Sequence, residues 1–530
     1  MSIFTKVAIK KPRFNTFDLS HKRKYAMAFG QLYPCFIAET VPNDTFRVST
    51  SQLVRMAPMI APLMHEVSVY VHFFYCPTRV AWPNFPKFIN GGKDGTAAPT
   101  FPFLQLLAVT QSSLGESLGL PEWSAQNRSV SAVPFYIYQK IWYDYFRDQN
   151  LSTEIPILEY EGDRLSDGDN AANFVTLIAD RQRSWMHDYF TSALPWTQRG
   201  VEATIPLGTS ADLTGTGALE LFGNDPTLAT STGTGIAEDS TLKVRASNAI
   251  VWADQPTQPD RNMEVDITPH TRVDLAATTV DLSTATAASI NDLRRAFRLQ
   301  EWLELNARAG ARYNEAIRAH FGIDPGDHRI DRPIFIGGSR TPIQISEVLQ
   351  TSETATTPQG TMSGHGVSLG GKNMFSYRCR EHGYIMGIMS IMPKSSYQQG
   401  IPKHWFKFDK FDYFWQQFAN IGEQAILNKE LYVANDGADD NVFGYTPRYA
   451  EYKYIPDTVH GPFKTSLNFW HGGRIFSARP ALNETFVTMQ RTEINRIFAV
   501  PGLSEQQFYV MCKHKVKAKR PMPYFGTPTI

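Results

Sequence analysis

A row of lysines close to the end of this 530-residue chain has the spacing of a nucleic-acid contact. If the segment from Phe508 to Lys519 is a β-strand, alternate side chains leave one face about 7 Å apart. The lysines on that face are Lys513, Lys515, Lys517 and Lys519. Their separation is close to the step between phosphates along a strand, so the pattern predicts phosphate contacts. The alternative is that lysines on an edge strand prevent unwanted strand pairing.

Residues at both ends of the chain extend this basic and aromatic character. Arg520, Tyr524 and Phe525 follow the lysines and would add one charge and two rings that stack on bases. Residues 1–24 combine phenylalanines with a basic set that includes Lys10, Lys11 and Arg13. Such an arm either contacts phosphates or orders against a neighbouring subunit, and we favour the second alternative.

Residue types of a hydrolytic triad also occur together, as His187, Asp188 and Ser192 in WMHDYFTSALPW. Side chains this close in sequence diverge, and Ser192 does not lie in a GxSxG turn, so we predict no catalysis here. The histidines show no HxxxH spacing and the four cysteines form no CxxC pair, so we predict neither a metal site nor a disulfide scaffold.

Composition limits the kind of protein this is. Lys plus Arg is 52 against 51 for Asp plus Glu, so nucleic-acid binding must come from local clustering of charge. Charged residues are only 19%, and 12% aromatics with 33 prolines favour a loop-rich, mostly β protein that buries surface against partners. The longest nearly apolar run is too short to span a bilayer, and the basic N-terminus lacks a signal-peptide core. We therefore expect synthesis in a reducing cytoplasm and no membrane partner.

Two buried strands and one loop are predicted from local patterns. In Val67 to Tyr75 alternate residues fall on opposite faces, and both faces carry aromatic rings. The continuous apolar run from His382 to Pro393 predicts a second buried strand. The glycine-rich segment PQGTMSGHGVSLGG, from Pro358 to Gly371, is predicted to be a flexible loop.

Helical patterns are found at three places. The aromatic run FYIYQKIWYDYF at residues 135–146 predicts a helix that packs in the core rather than one that stacks on bases. Residues 290–321 are the clearest helix, with a capping box at Ser289 and Asp292 and Gly322 after the end. A short helix is expected at Phe103 to Leu107.

Between residues 207 and 288 the composition shifts to Gly, Thr, Ala and Ser, which indicates a large surface insertion.

Several of these segments resemble one family of proteins. They are QLVRMAPMIAPLMHEVSVYVHFFYCPTRVAW followed by FINGG, the DYFTSALPW motif, and NDLRRAFRLQEWLELNARAGARYNEAIRAHFG followed by DRPIFIGGSRTPIQISEVLQTS. All are similar to the major capsid proteins of the Microviridae, the small icosahedral single-stranded DNA phages, and most similar to the gokushovirus branch. The resemblance covers nearly the whole chain except the insertion.

The resemblance implies a mostly β fold, the eight-stranded antiparallel viral jelly roll, with long loop and helical insertions. It divides the chain into a basic N-terminal arm (1–24), a first part of the core (25–206), the insertion as a three-fold protrusion (207–288), a second part of the core (289–510) and a basic C-terminal tail (511–530). It implies no enzyme and no cofactor.

The implied function is structural. Sixty copies would form a T=1 shell around circular single-stranded DNA, with contacts at the two-, three- and five-fold axes. The implied partners are a small basic DNA-binding protein and a pilot protein of the same virus, and a host surface receptor bound by the insertion. The protein would be made in the bacterial cytoplasm and reside in the virion.

Two other classes stay open on the residues alone. A carbohydrate-processing enzyme on a β-scaffold would suit the aromatic content but needs two carboxylates that face one cleft. A lectin-like jelly roll that binds a receptor would use the Gly/Thr-rich insertion for sugars without assembling into a shell.

Overall fold

The computed structural model describes residues 13–91, 96–155, 171–200, 290–309, 332–349, 359–499 and 506–525, residues 319 and 351, and the backbone of six short strands between residues 213 and 280. Residues 1–199 together with 303–530 form one compact unit, and residues 200–302 form a second. The predicted residues Lys10 and Lys11 lie outside the described residues.

The strands are β1 (Asn15–Asp18), β2 (His21–Met27), β3 (Tyr33–Thr40), β4 (Thr45–Met56), β5 (Val67–Pro77), β6 (Phe103–Leu106), β7 (Arg128–Ser131), β8 (Leu213–Thr214), β9 (Glu220–Phe222), β10 (Leu242–Val244), β11 (Ile250–Trp252), β12 (Arg272–Asp274), β13 (Thr279–Val280), β14 (Ile334–Pro342), β15 (Gln344–Leu349), β16 (Met362–Arg378), β17 (Gly383–Pro393), β18 (Glu423–Leu427), β19 (Val442–Pro447) and β20 (Phe508–Arg520).

The α-helices are α1 (Thr78–Ala81), α2 (Phe85–Asn90), α3 (Leu114–Leu118), α4 (Val133–Ile141), α5 (Ala171–Ile178), α6 (Ile290–Ala309), α7 (Asn428–Leu431) and α8 (Glu484–Val487). A π-helical turn, Trp142–Phe146, continues α4. Short 3-10 turns occupy Lys403–Phe406, Lys410–Asp412, Gln416–Phe418, Ala450–Tyr452, Gly461–Lys464, Asn468–Trp470 and Asn495–Ile497. No helix among the described residues has the length and apolar character needed to cross a membrane.

Two antiparallel sheets form the centre of the first unit. In the larger sheet β20 pairs on one side with β1 and β2 and on the other with β4, and β16 and β15 follow. The smaller sheet has the order β14, β5, β17, β3. The chain alternates between the sheets through β2, β3, β4 and β5, and again through β14, β16, β17 and β20. This is the antiparallel jelly roll that was predicted.

The main hydrophobic core lies between the sheets. Alternate residues of β20, from Phe508 to Ala518, are buried in it, as are those of β5 from Val67 to Tyr75. The opposite face of β5 is buried as well, because Phe74 and the aromatic helix α4 share a second core. The predictions of a two-sided buried strand and of a core-packing aromatic helix are therefore confirmed.

Two predictions of secondary structure from local patterns are wrong. The segment at 103–107 is not a helix but β6, because Leu104 and Leu106 alternate into the second core and the strand pairs with β7. The expected loop at 358–371 is mostly strand, since β16 starts at Met362 and pairs with both β4 and β15. Its glycines allow close packing: a Cβ on Gly364 would lie 2.5 Å from the Ala61 carbonyl oxygen.

The structure also assigns the segments near both chain ends differently from the prediction. Residues 15–24, assigned to an arm, form β1 and the start of β2, and residues 511–520, assigned to a tail, belong to the central strand β20. Both segments are therefore part of the sandwich. The predicted helix at 290–321 is confirmed over Ile290–Ala309, which forms α6. Of the predicted capping box, Ser289 and the side chain of Asp292 lie outside the described part of the chain, as do residues 310–318, 320 and 321.

The strands described in the second unit form three nested antiparallel pairs. β10 pairs with β11, β9 with β12, and β8 with β13, so each pair encloses the previous one in sequence. The exact limits of the insertion, 207–288, stay a prediction.

A buried histidine makes the sandwich sensitive to acid. His514 is fully buried, with its ring nitrogens 2.9 Å from the Thr50 hydroxyl and 3.1 Å from the Cys35 carbonyl oxygen. Burial, and then the charges of His21 and Arg23, lower the pKa of His514 to about 4. The unfolded chain, with a histidine pKa near 6.5, binds the proton more tightly, so stability present above pH 6.5 is lost as pH falls towards 4.

We therefore expect the destabilisation caused by His514→Gln to be larger at pH 7 than at pH 4.5. The shift corresponds to about 3 kcal/mol at most, because each pKa unit is worth about 1.4 kcal/mol. Urea unfolding midpoints of the wild type and the variant at both pH values measure it. An equal difference between the two proteins at both pH values would contradict the prediction.

Candidate nucleic-acid interface

The predicted lysine row lies on a central strand, β20, which has a partner on each side. Side chains of β20 alternate strictly, so Lys513, Lys515, Lys517 and Lys519 are exposed while the residues between them are buried. The alternative explanation, lysines that protect a sheet edge, is therefore wrong, because this strand is not an edge.

Neighbouring strands add more cations to the same face. Residues that are directly opposite in an antiparallel pair share a face, which identifies the other members. We call the exposed cations of this surface the basic face: Lys22, Lys24, Arg47, Arg55, Arg378, Lys513, Lys515, Lys517 and Lys519. In the described part of the chain none of these side chains forms an ion pair with a carboxylate.

Like charges are placed directly opposite each other at two points of the basic face. Lys22 of β2 pairs with Lys513, and Arg47 of β4 pairs with Lys517. Like charges that lie directly opposite each other destabilise an antiparallel pair by up to about 1 kcal/mol. The sheet therefore carries an electrostatic cost that a bound polyanion would remove.

One carboxylate borders the face. Asp18 lies opposite Lys517 on β1, and hydrogen bonds from Ser20, with the charge of Lys517, lower the pKa of Asp18. These residues line a shallow depression of about 790 Å³ that also contains Arg47, Lys513 and Lys515. Its size and charge suit a phosphate with its sugar.

The aromatic residues predicted to extend the surface lie at the β1 end of the row. The Lys519 ammonium is 5.5 Å from the Phe14 ring centroid. Tyr524 packs on Phe17 with ring centroids 5.2 Å apart, and its hydroxyl donates to the Thr16 carbonyl oxygen. Phe525 is 88% exposed, so its ring is available for stacking.

Arg520 does not join the lysines. Its guanidinium lies 3.2 Å from the carboxylate of buried Asp44, donates to the Glu39 carbonyl oxygen and stacks on Phe46. Burial raises the pKa of Asp44, and the charge of Arg520 opposes that shift. Arg520 therefore stabilises the end of the sandwich, on the face opposite to the lysines. Arg13, at the start of the described chain, is exposed.

Sequence reasoning missed Arg47 and Arg55. Both lie in TFRVSTSQLVRM, where β4 alternates between buried and exposed positions along its whole length. That period of two was the signal that places them on one face. The period of two does not identify the strand that pairs with β4, because the pairing with β20 joins residues more than 400 positions apart.

The residue types of the triad form a structural hub instead. The carboxylate of Asp188 accepts hydrogen bonds from Ser395 at 2.5 Å and Tyr397 at 2.7 Å, and the Ser192 hydroxyl donates to the Asp188 backbone oxygen at 2.6 Å. This geometry joins two loops and does not activate a serine. All four cysteines are free and buried, and burial raises the pKa of each thiol.

The two-sheet jelly roll is the fold of viral capsid subunits, and it also occurs in lectin domains and cupins, so the fold narrows the class of protein to these. The comparisons with known proteins agree. The chain belongs to the family described as capsid protein (F protein), which it matches over residues 6–530.

Three capsid proteins named VP1 are similar to it along most of their length. That of Bdellovibrio phage phiMH2K is 34% identical over 97% of this chain and 94% of its own. That of Chlamydia phage 1 is 31% identical over 99% and 97%, and that of Spiroplasma virus 4 is 29% identical over 96% and 94%. The resemblance to Microviridae capsid proteins is thus confirmed, and the family points to a structural role in the virion.

Proposed function

We propose that sixty copies of this chain close into a T=1 icosahedral shell around a circular single-stranded DNA genome. Family membership supports assembly into a capsid. The basic face supports contact with the genome, and its opposed like-charge pairs, Lys22 with Lys513 and Arg47 with Lys517, carry that part of the proposal.

The contact is independent of sequence. Lysine ammonium groups bind phosphates as point charges and read no base, so the basic face positions the strand without selecting it. Tyr524 and Phe525 at the end of the row add stacking, which tolerates every base. Such a surface suits a protein that packages a whole genome.

Other partners share the neutralisation of the DNA. The formal net charge of the chain is only +1, because acidic residues elsewhere balance the basic face. Sixty copies therefore leave most phosphates without a counter-charge, and a small basic protein of the same virus supplies the rest. A pilot protein accompanies the genome. The insertion at 207–288 contacts a host surface receptor, and the shell is made in the host cytoplasm.

Cryo-electron microscopy of the native particles, after nuclease treatment, tests this proposal. We expect closed icosahedral shells of sixty subunits that contain protected single-stranded DNA, with density against the basic face. Isolated monomers or trimers without nucleic acid would contradict it. Closed shells in which the basic face points to the outside would contradict the genome contact alone.

A further inference from the structure

A second surface of the first unit is unusual because it is apolar and exposed. The aromatic patch comprises six side chains from two loops, with exposed fractions of 66% for Trp405, 88% for Phe408, 55% for Tyr413, 54% for Phe414, 54% for Tyr452 and 90% for Ile455. Large apolar side chains with such exposure are common singly, but a group of them marks an interaction site.

Contacts and a shared pocket connect five of the six side chains, and Phe408 lies in the turn that leads to Tyr413 and Phe414. Tyr452 is at its centre, with its ring centroid 6.3 Å from that of Phe414 and 3.7 Å from the Lys407 ammonium, which also lies 5.9 Å from the Tyr413 ring. Trp405, Tyr452 and Ile455 line the same pocket of about 400 Å³. The patch therefore combines a convex part with a concave socket beside it.

The exposed area of the patch is that of a protein interface. A side chain of this size presents about 200 Å², so the stated fractions give roughly 800 Å² in total. The largest apolar patch on a typical monomer covers about 300–600 Å². One partner in an interface of standard size contributes about 800 Å².

Internal hydrogen bonds hold the patch in place before any partner binds. The Asp412 carboxylate accepts from the backbone of Phe408 and of Asp409, at 3.0 and 2.9 Å, and closes the turn that presents the Phe408 ring. The Trp415 indole donates to the Lys410 carbonyl oxygen at 2.8 Å, and the Tyr449 hydroxyl to that of Tyr413 at 3.2 Å. A preorganised surface loses little conformational entropy on binding.

Charge at the patch does not favour DNA as its occupant, because most of its cations have carboxylates beside them. Lys407, the cation next to the rings, is 3.1 Å from Glu451, and the two largely buried side chains form an ion pair with no net charge. Lys403, in the pocket beside the rings, is paired with Glu430. Lys410 is accompanied by Asp409 and Asp412 in the same turn. A surface without excess positive charge does not attract a polyanion, whereas depletion of charge is typical of the centre of protein interfaces.

We propose that a second copy of this chain covers the aromatic patch in the assembled shell. The inference rests on the proposed function, because a closed shell of one chain type surrounds every subunit with further copies. The pocket beside Trp405 offers this neighbour a concave site next to the exposed rings. The exposed rings thereby supply the desolvated centre of one subunit interface.

Hydroxyl-radical footprinting tests which molecule covers the patch. DNA-filled particles, empty particles and dissociated subunits are labelled in parallel, and the modification of Trp405 and Tyr452 is measured by mass spectrometry. We expect both residues to be protected at least about tenfold in both kinds of particle relative to subunits. Equal labelling in particles and subunits, or protection only in DNA-filled particles, would overturn the proposal.

A pair of variants tests the energetic role. Phe408→Asp with Ile455→Asp places charges in the contact, and we expect the yield of closed shells to fall at least about tenfold. The matched control, Phe408→Trp with Ile455→Leu, keeps the surface apolar and should assemble as the wild type does. Thermal unfolding of the free subunits shows whether each variant is folded. If the aspartate variant is not folded, footprinting of wild-type particles still shows whether another subunit covers the patch.

The outcomes separate the inference from its premise. Normal shells from the folded aspartate variant would overturn the role of the patch while the shell itself stands. A wild-type chain that never forms closed particles would overturn the proposed function and this inference with it.

Discussion

Particles built from a chain that lacks residues 210–285 are expected to close but to lose specific adsorption to the host. The described strands of the second unit pair only with each other, in three nested ladders, whereas every strand of the two large sheets lies outside 200–302. Removing the segment therefore leaves the hydrogen bonds of the sandwich unchanged. Binding functions on loops carried by a rigid scaffold are lost with the loop.

The measurement is adsorption of particles to host cells, with a short Gly/Ser linker in place of residues 210–285. Electron microscopy of the same preparation shows whether shells have closed, and adsorption to a non-host strain gives the background. Unchanged adsorption would contradict the attachment role. A deletion that prevents folding would show instead that these residues belong to the core.

The double variant Lys513→Glu with Lys517→Glu is expected to bind single-stranded DNA at least about tenfold more weakly at 0.15 M salt. Each phosphate contact contributes about 0.7 to the slope of log affinity against log salt, so losing two lowers that slope by about 1.4. Binding of a fluorescent oligothymidine by the purified capsid protein gives both values. Nuclease-protected DNA per particle should fall in parallel.

The stability of the same variant should move in the other direction. Glutamate at position 513 faces Lys22 and glutamate at position 517 faces Arg47, so two repulsive cross-strand pairs become attractive. Glutamate at position 517 also faces Asp18 of β1, so one attractive pair becomes repulsive, and the balance still favours the variant by one pair. Each cross-strand charge pair changes the free energy of unfolding by up to about 1 kcal/mol. We therefore expect a thermal midpoint equal to or above that of the wild type. A lowered midpoint would mean that loss of DNA reflects damage to the sheet.

A matched control has the same change of charge at exposed cations outside both the basic face and the aromatic patch. Lys87→Glu with Arg295→Glu meets this requirement, because Lys87 lies on α2 and Arg295 lies on α6. The control should keep the salt dependence of the wild type. Normal packaging by the Lys513 and Lys517 variant, or an equal defect in the control, would contradict a specific role for the basic face.

The two surfaces differ in charge, and this difference suits the two tasks proposed for them. Among the described residues the basic face has nine cations and one bordering acid, Asp18, whereas Lys407 of the aromatic patch is paired with Glu451. A polyanion is attracted to the basic face and gains no such attraction at the aromatic patch. One subunit can therefore contact the genome and its neighbours without the two kinds of contact competing.

The sequence by itself determined those features that depend on neighbouring residues. Alternation from Phe508 to Lys519 identified a strand with four lysines on one face, and the apolar run before Pro393 identified a buried one, because side chains point to opposite faces with a period of two. The order of family-like segments determined the class of protein. The same local reasoning failed at Gly364, where glycine signifies close packing against Ala61 rather than a loop.

Only the tertiary structure decided which strands lie side by side. Register with β20 brings Arg47 and Lys22 to the lysines, turns Arg520 towards Asp44, and rules out the edge-strand explanation. Exposure of the aromatic patch was equally invisible, because Trp405 and Phe408 have the composition of core residues. The physical reason is that strand pairing and burial depend on contacts between residues hundreds of positions apart, which local propensity does not encode.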